Sequence, residues 1–229
     1  MVCRLQETSD QSSKALIIHL LIKNLISLFF INFTYSLVYK SMKETENEYQ
    51  EIIDIVHQAI EKRNASNPKQ ALSIIEKAVE LGSALPNLST EYAYSLHIKA
   101  NIFQDLNEFS KSYDGYYQAY RVYASAGNKG SAFHSLWHAG AAASEEGKID
   151  EAKAIFRKCL GNLDEIEITT IQQANFYRNL ALHEERIDNL IGSYALWLHC
   201  LSLYQDIDLK DAIDECNERI TEIRSRLKE

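Results

Sequence analysis

Apolar side chains recur at intervals of three and four along nearly the whole chain from residue 44 onward. That spacing places them on one face of an α-helix. Glycine and proline, which form turns and interrupt helices, number only 8 and 2 among the 229 residues. A β-sandwich or β-barrel of this length needs many more turn residues. The pattern therefore predicts an all-α protein.

The helical pattern repeats with a period of about 40 residues. In four segments a small residue is followed four positions later by a large residue, and a second small residue comes three positions after that. The first small residues are Ala71, Ser112, Ala152 and Ser193. The large residues are Ile75, Tyr116, Phe156 and Trp197, and the second small residues are Ala78, Ala119, Cys159 and Cys200. Small residues let two helices approach closely, and large ones fill the space between neighbouring helix pairs.

A second set of positions precedes these segments in the same register. Twelve residues before each first small residue stands another small one, and sixteen before it stands a large apolar or aromatic one. The small residues are Ala59, Ala100, Gly140 and Ala181, and the larger ones are Ile55, Leu96, Leu136 and Tyr177. Each repeat therefore predicts two helices that pair as a hairpin.

This arrangement of small and large positions resembles the tetratricopeptide repeat (TPR) over about residues 52–207. The unit at 132–165 is the clearest, with Gly147 in the turn between its helices. The period is near 40 rather than the 34 of the TPR, and Pro68 occupies a position that is usually aromatic. The resemblance implies an α-solenoid of four TPR-like helical hairpins at residues 44–207 that binds a protein or peptide and is not an enzyme.

Residues 208–229 have a different pattern, with one narrow apolar stripe among charged residues. The stripe contains Ala212, Ile213, Cys216, Ile220, Ile223 and Leu227. One face of such a helix can close the last hairpin while the other meets water. The predicted fold therefore ends in a C-terminal capping helix.

The first 41 residues do not share the repeat pattern. Residues 15–39 form an apolar stretch long enough to cross a bilayer, although Lys23 interrupts it. Three interpretations fit this segment: a membrane anchor, a buried or interfacial helix, and upstream sequence in front of a true start at Met42. Met1 and Met42 are the two methionines of the chain, and the amphipathic pattern begins directly after the second.

Charge and cysteine content indicate which partners and which cellular compartment to expect. Residues 1–41 carry two more basic than acidic side chains, whereas the rest of the chain carries ten more acidic than basic ones. That surface repels a phosphate backbone, so we expect no direct nucleic-acid partner. None of the four cysteines forms a CxxC pair. This usage favours a reducing compartment, and we expect a cytoplasmic protein.

The candidate binding residues follow from the TPR resemblance, in which the first helix of each hairpin lines the concave side. Groove-facing register positions in the second to fourth hairpins are rich in histidine, asparagine and aromatic residues. Asparagine can donate to and accept from a peptide backbone, Tyr94 and Trp137 can serve as anchors, and Arg178 can bind a carboxylate. The candidate peptide-binding residues are Tyr94, His97, Asn101, His134, Trp137, His138, Asn175, Arg178 and Asn179.

Catalytic and metal chemistry have weaker support. His134 and His138 are four residues apart and could bind a metal together with His97, but zinc sites usually have further ligands at defined spacing. We therefore interpret these histidines as groove lining and predict no metal or other cofactor. The sequence contains no phosphate-binding glycine loop, nucleophile elbow or HExxH motif.

The leading hypothesis is a cytoplasmic interaction module that holds a protein or peptide in its concave groove. One alternative is a regulatory adaptor, because bacterial peptide-sensing regulators of the Rap type also have long-period repeats. Another is a structural subunit tethered to a membrane through residues 15–39. A homodimer formed through the groove is also compatible with the pattern.

Overall fold

The computed structural model describes residues 39–40 and 42–228, which form helices and turns. The chain divides into two compact units, Met1–Glu51 and Ile52–Glu229. Within the first unit, residues 39–40 and 42–51 are helical. The apolar segment at 15–39, which the sequence leaves open to three interpretations, lies outside the described residues except for its last position. Among the described residues, no helix has both the length and the apolar character needed to span a bilayer.

The second unit is a succession of helices joined by short turns. Within this unit residues 52–64 are helical, and we label this stretch α1. The following helices are α2 (Pro68–Ser83), α3 (Ser89–Asp105), α4 (Phe109–Ser125), α5 (Lys129–Glu145), α6 (Ile149–Asn162), α7 (Thr170–Arg186), α8 (Leu190–Asp206) and α9 (Lys210–Arg226). Two 3₁₀ turns, at Pro86–Leu88 and Leu163–Glu165, lie in the connections before α3 and α7.

Consecutive helices pack on one another to form the predicted hairpins. Apolar residues of α1 and α2 share one core cluster, and contacts join α3 to α4, α5 to α6 and α7 to α8. Neighbouring hairpins join through α2 with α3, α4 with α5, and α5 with α7, while α9 packs on α8. The all-α architecture of successive hairpins predicted from the sequence is confirmed.

Burial follows the repeat positions closely. All twelve second-helix positions are at most 2% exposed, and the small first-helix residues Ala59, Ala100, Gly140 and Ala181 are buried too. Among the first helices, α5 is buried most, with eleven buried residues between Ala132 and Ser144, while α3 has seven and α7 has five. The second helices keep one exposed face, since α6 buries only Ala152, Ile155, Phe156 and Cys159. In the second to fourth hairpins the first helix is therefore more buried than the second. We call the first helices the inner helices, and the side of α3, α5 and α7 that carries Asn101, His134, His138 and Asn179 the inner face.

The turns within and between hairpins use one recurring device. After six helices a residue adopts a positive φ between 51° and 82°; these residues are Ser66, Asn107, Gly127, Gly147, Asp188 and Asp208. The next residue's N–H then donates to the carbonyl five positions back at 2.8–3.1 Å. This hydrogen bond is the Schellman closure of a helix C-terminus. Gly147 thus lies in the turn predicted for it, and the short connections keep successive helices close together.

Ion pairs connect neighbouring hairpins at the ends of the inner helices. Arg63 contacts Asp105 with its Nε at 2.5 Å and its Nη2 at 3.0 Å, and Arg186 contacts Glu145 at 2.5 Å. Arg226 of α9 lies 2.9 Å from an Asp188 carboxylate oxygen. Pairs exposed by a third or more contribute about 0–1 kcal/mol each. These pairs therefore fix the relative position of neighbouring hairpins more than they raise the free energy of unfolding.

Candidate functional site

Residues on α3 and α5 form a compact histidine cluster, which we define as His97, His134 and His138. The ring centroids lie 4.9 Å apart for His97 and His134, 5.2 Å for His97 and His138, and 4.7 Å for His134 and His138. The Nε2 atoms of His134 and His138 are 3.2 Å apart. His97 is 5% exposed, whereas the other two rings are half-buried. The cluster is therefore partly exposed through His134 and His138.

Local helix geometry and hairpin packing together produce this cluster. His134 and His138 are four residues apart on α5, so their side chains lie on one face of that helix. His97 comes from α3, one hairpin earlier, and α4 packs on both α3 and α5. The third ring's approach therefore depends on how one hairpin stacks on the next.

Aromatic side chains enclose the histidine cluster. Trp137 stacks on His138 with centroids 3.7 Å apart, and Tyr116 stacks on the same ring at 5.0 Å. The Tyr116 hydroxyl donates to Asn101 Oδ1 at 2.6 Å and lies 2.9 Å from Gln104 Oε1. Trp137 is 1% exposed. It therefore supports the rings from within the core, and the role of surface anchor proposed for it stays a prediction.

Burial sets the protonation state of the histidine cluster. Loss of hydration lowers the pKa of His97 to about 3, with a smaller contribution from His134. Burial also lowers the pKa of His134 and, more strongly, that of His138. A buried imidazole resists protonation because the charged form loses most hydration. At neutral pH each ring is therefore uncharged, with one nitrogen carrying a lone pair.

A second group of candidate residues lies on α7, beside the capping helix. Arg178 makes a two-pronged contact with Glu215 of α9, Nε to Oε2 at 2.7 Å and Nη2 to Oε1 at 2.5 Å. Asn175 Oδ1 accepts from the Tyr204 hydroxyl at 2.7 Å, and Asn179 Nδ2 donates to the Asn175 carbonyl at 2.8 Å. Arg178, expected from sequence to bind a ligand carboxylate, is engaged by a carboxylate of the chain itself.

The Arg178–Glu215 contact gives a measurable coupling. In a double-mutant cycle of Arg178→Ala and Glu215→Ala, we expect a coupling free energy of about 0.5–1 kcal/mol, since both side chains are about one-third exposed. The measurement is urea unfolding of the four proteins followed by circular dichroism. Additive losses would indicate that Arg178 is not held by Glu215 in solution. In that case Arg178 would be available to a ligand.

The candidate residues thus fall into separate groups. The structure brings together His97, Asn101, His134, Trp137 and His138 around Tyr116, and it brings together Asn175, Arg178 and Asn179 around Glu215 and Tyr204. Tyr94 is half-buried near the start of α3, where it packs against two core clusters.

Sequence reasoning missed four partners of these residues. It assigned Tyr116 to packing alone, although its hydroxyl, absent from the equivalent Ile75, Phe156 and Trp197, indicates a polar contact. Glu215 and Tyr204 had no sequence signal, because their partners lie about 30 or more residues away. Ser135, whose Oγ lies 3.0 Å from His97 Nδ1, likewise had none.

The buried cysteines are poor candidates for nucleophilic chemistry. Burial raises the pKa of Cys159 to about 12 and that of Cys216 to about 11. The reactive form of cysteine is the thiolate. Both residues are therefore protonated at neutral pH, and their positions in the core clusters give them a packing role.

Comparison with solved structures identifies the fold. The chain is similar to BtubC (BKLC) from P. vanneervenii, with a TM-score of 0.57 and 13% identity over 79% of this chain and 82% of that one. It is also similar to a kinesin-light-chain-like protein of nearly identical TPR-like repeats from Podosopora anserina, with a TM-score of 0.57 and 12% identity over 78% and 97% of the two chains. A variant of that second protein gives a TM-score of 0.58.

These likenesses show the fold alone, because sequence identity is so low. The chain is an α-solenoid of TPR-like repeats, as the sequence predicted. No protein-family model and no curated protein matches it. Folds of this class generally mediate contacts between proteins, through the extended surfaces that stacked repeats create.

Proposed function

We propose that this TPR-like chain binds an extended segment of a partner protein along the inner face of α3, α5 and α7. The observation that carries the proposal is a series of half-buried side chains on these three helices that can form hydrogen bonds. Asn101 lies on α3, His134 and His138 on α5, and Asn179 on α7. The three helices belong to successive hairpins, so one extended peptide can reach all of them.

The chemistry of these side chains suits a peptide backbone. An asparagine amide both donates and accepts hydrogen bonds, and a neutral imidazole does the same through its two nitrogens. Asn101 uses Oδ1 to accept from Tyr116, which fixes the orientation of its amide group. Backbone-directed contacts of this kind supply affinity for many sequences. Selectivity would then come from pockets for individual side chains.

Rigid repeats favour binding because the receptor is ordered beforehand. Core packing holds one side of each inner helix, and Schellman closures hold their C-terminal ends. Only the peptide then loses much conformational freedom, so less of the interaction free energy is offset by ordering. The acidic balance of residues 42–229 favours segments that are neutral or basic.

A selection experiment tests this proposal. A random peptide library displayed on phage is selected on the full chain, and the affinities of recovered peptides are measured by fluorescence anisotropy. In the variant Asn101→Ala/Asn179→Ala we expect affinity to fall about tenfold or more, because two central hydrogen-bonding groups are lost. Trp137 is left unchanged because its replacement would disturb the core.

The matched control changes two exposed side chains on second helices. Tyr117→Ala/Leu198→Ala alters residues that are 38% and 43% exposed on α4 and α8. We expect this variant to bind the recovered peptides with unchanged affinity. If the peptides bind the asparagine variant normally but lose affinity for the control, the binding surface lies on the second helices. That result would contradict the proposal.

A further inference from the structure

We infer that His97, His134 and His138 form a binding site for one zinc ion, with a fourth coordination position open toward the inner face. The candidate ligand nitrogens of the three rings all lie within 4.8 Å of one another. Among the described residues, this is the one group of three or more histidine, cysteine or carboxylate side chains close enough to share an ion. The sequence analysis named these three histidines but predicted no metal site, because no further ligand stood at a defined spacing.

The separation of the α5 nitrogens fits tetrahedral coordination. Two nitrogens bound to zinc at 2.0–2.1 Å with tetrahedral angles are about 3.3–3.4 Å apart. The Nε2 atoms of His134 and His138 are 3.2 Å apart in the structure. The same distance suits a hydrogen bond between two neutral rings. The position of His97 and its own hydrogen bond therefore decide between a hydrogen-bonded pair and a metal site.

A hydrogen bond with Ser135 is in position to orient the third ligand, His97. Ser135 Oγ lies 3.0 Å from His97 Nδ1. If Nδ1 carries the proton and donates to this hydroxyl, Nε2 has the lone pair for the metal. Metal-binding histidines almost always use their second nitrogen in this way, which fixes the tautomer and the ring orientation. Ser135 would therefore be a positioning residue for the site.

The rings can bind a metal ion without first losing a proton, because they are neutral. Imidazole suits Zn²⁺ as well as copper, iron and nickel ions. Tyr116 and Trp137 cover His138 and limit water on that side. Arg63 is the cation whose field acts on His97 and His138, and it is itself paired with Asp105 through two hydrogen bonds.

Three protein ligands leave one position of a tetrahedral ion for water or another group. His134 and His138 are only half-buried, so an ion and its remaining ligand can enter from that side. Because the ligands come from α3 and α5, a bound ion would fasten the second hairpin to the third. That junction has no ion pair at the helix ends like those that join the other hairpins in the described part of the chain.

Titration of the full chain with zinc chloride tests the inference. After treatment with a chelator and its removal, isothermal calorimetry should show one zinc ion per chain. We expect His134→Gln to weaken zinc binding at least 100-fold, since it removes a ligand, and Ser135→Ala to weaken it about 10–100-fold. Tetrahedral cobalt substituted for zinc should give a visible absorption band that His134→Gln abolishes.

The control variant His57→Ala/His199→Ala removes two exposed histidines outside the cluster and should bind zinc as the unaltered chain does. Circular dichroism of every variant separates loss of a ligand from loss of folding. Failure of the unaltered, folded chain to bind zinc would overturn the inference and leave a hydrogen-bonded pair of neutral rings. Binding that survives His134→Gln but is lost in the control would overturn it as well.

Discussion

Replacement of Trp197 by alanine is expected to lower the free energy of unfolding by about 3–5 kcal/mol. Trp197 is completely buried, at the position that Ile75, Tyr116 and Phe156 occupy in the other hairpins. Its removal leaves a cavity in the core between α7, α8 and α9. It also removes the indole N–H that donates to Glu185 Oε1 at 2.6 Å. Glu185 Oε1 would keep the longer contact from Ser193 Oγ at 3.4 Å, so the lost hydrogen bond adds less than the loss of packing.

The adjacent residue provides the control for Trp197. Leu198 is 43% exposed on the same helix, so Leu198→Ala should change stability by less than about 1 kcal/mol. Urea unfolding followed by far-ultraviolet circular dichroism measures both variants. Equal losses for Trp197→Ala and Leu198→Ala would mean that α8 faces the core with a different register from the one described.

Experiment can also show which helices the Trp197→Ala substitution destabilises. In stacked repeats each hairpin contacts only its neighbours, so a defect weakens nearby units most. In Trp197→Ala we therefore expect faster amide hydrogen exchange in α7, α8 and α9. Exchange in α3 and α4 should change little, because those helices belong to other core clusters. A uniform increase along the chain would instead indicate that the repeats unfold as one cooperative unit.

The fold was predictable because its determinants are local and repeated. Ala71, Ile75 and Ala78 form a pattern that spans two helical turns, and the same pattern returns in three further hairpins. Every one of these positions is buried in the structure. Volume and spacing along one helix are enough to fix which face turns inward. Four repetitions then leave little freedom for any other architecture.

The candidate site was less predictable because its geometry depends on residues from different hairpins. The spacing of His134 and His138 places both on one face of α5, but only the stacking of hairpins brings His97 to them. Likewise, register places Arg178 on the inner face, whereas its partner Glu215 lies on the capping helix. A repeat pattern defines which way a side chain points and leaves its long-range partner undefined.

Gly140 supplies a second test of the packing between helices. A Cβ atom at this position would lie 2.9 Å from Ile155 Cγ2 and 3.5 Å from Phe156 Cε1. Both neighbours are buried on α6, and the branched Ile155 side chain has little freedom to move away. Overpacking of a core typically costs about 1–3 kcal/mol. We expect Gly140→Val to lower the free energy of unfolding by about 3 kcal/mol, near the upper end of that range, because valine adds two methyl groups beyond Cβ.

Gly161 on α6 separates this steric effect from the change in helix propensity. A Cβ added there meets no atom within 4 Å, and the residue is exposed. Valine favours a helix over glycine by a few tenths of a kcal/mol, so Gly161→Val should leave stability unchanged or raise it slightly. Thermal and urea unfolding of both variants give the comparison. If Gly140→Val is as stable as Gly161→Val, α5 and α6 are not packed closely at this position, and the small residue of each first helix is not what sets the spacing of a hairpin.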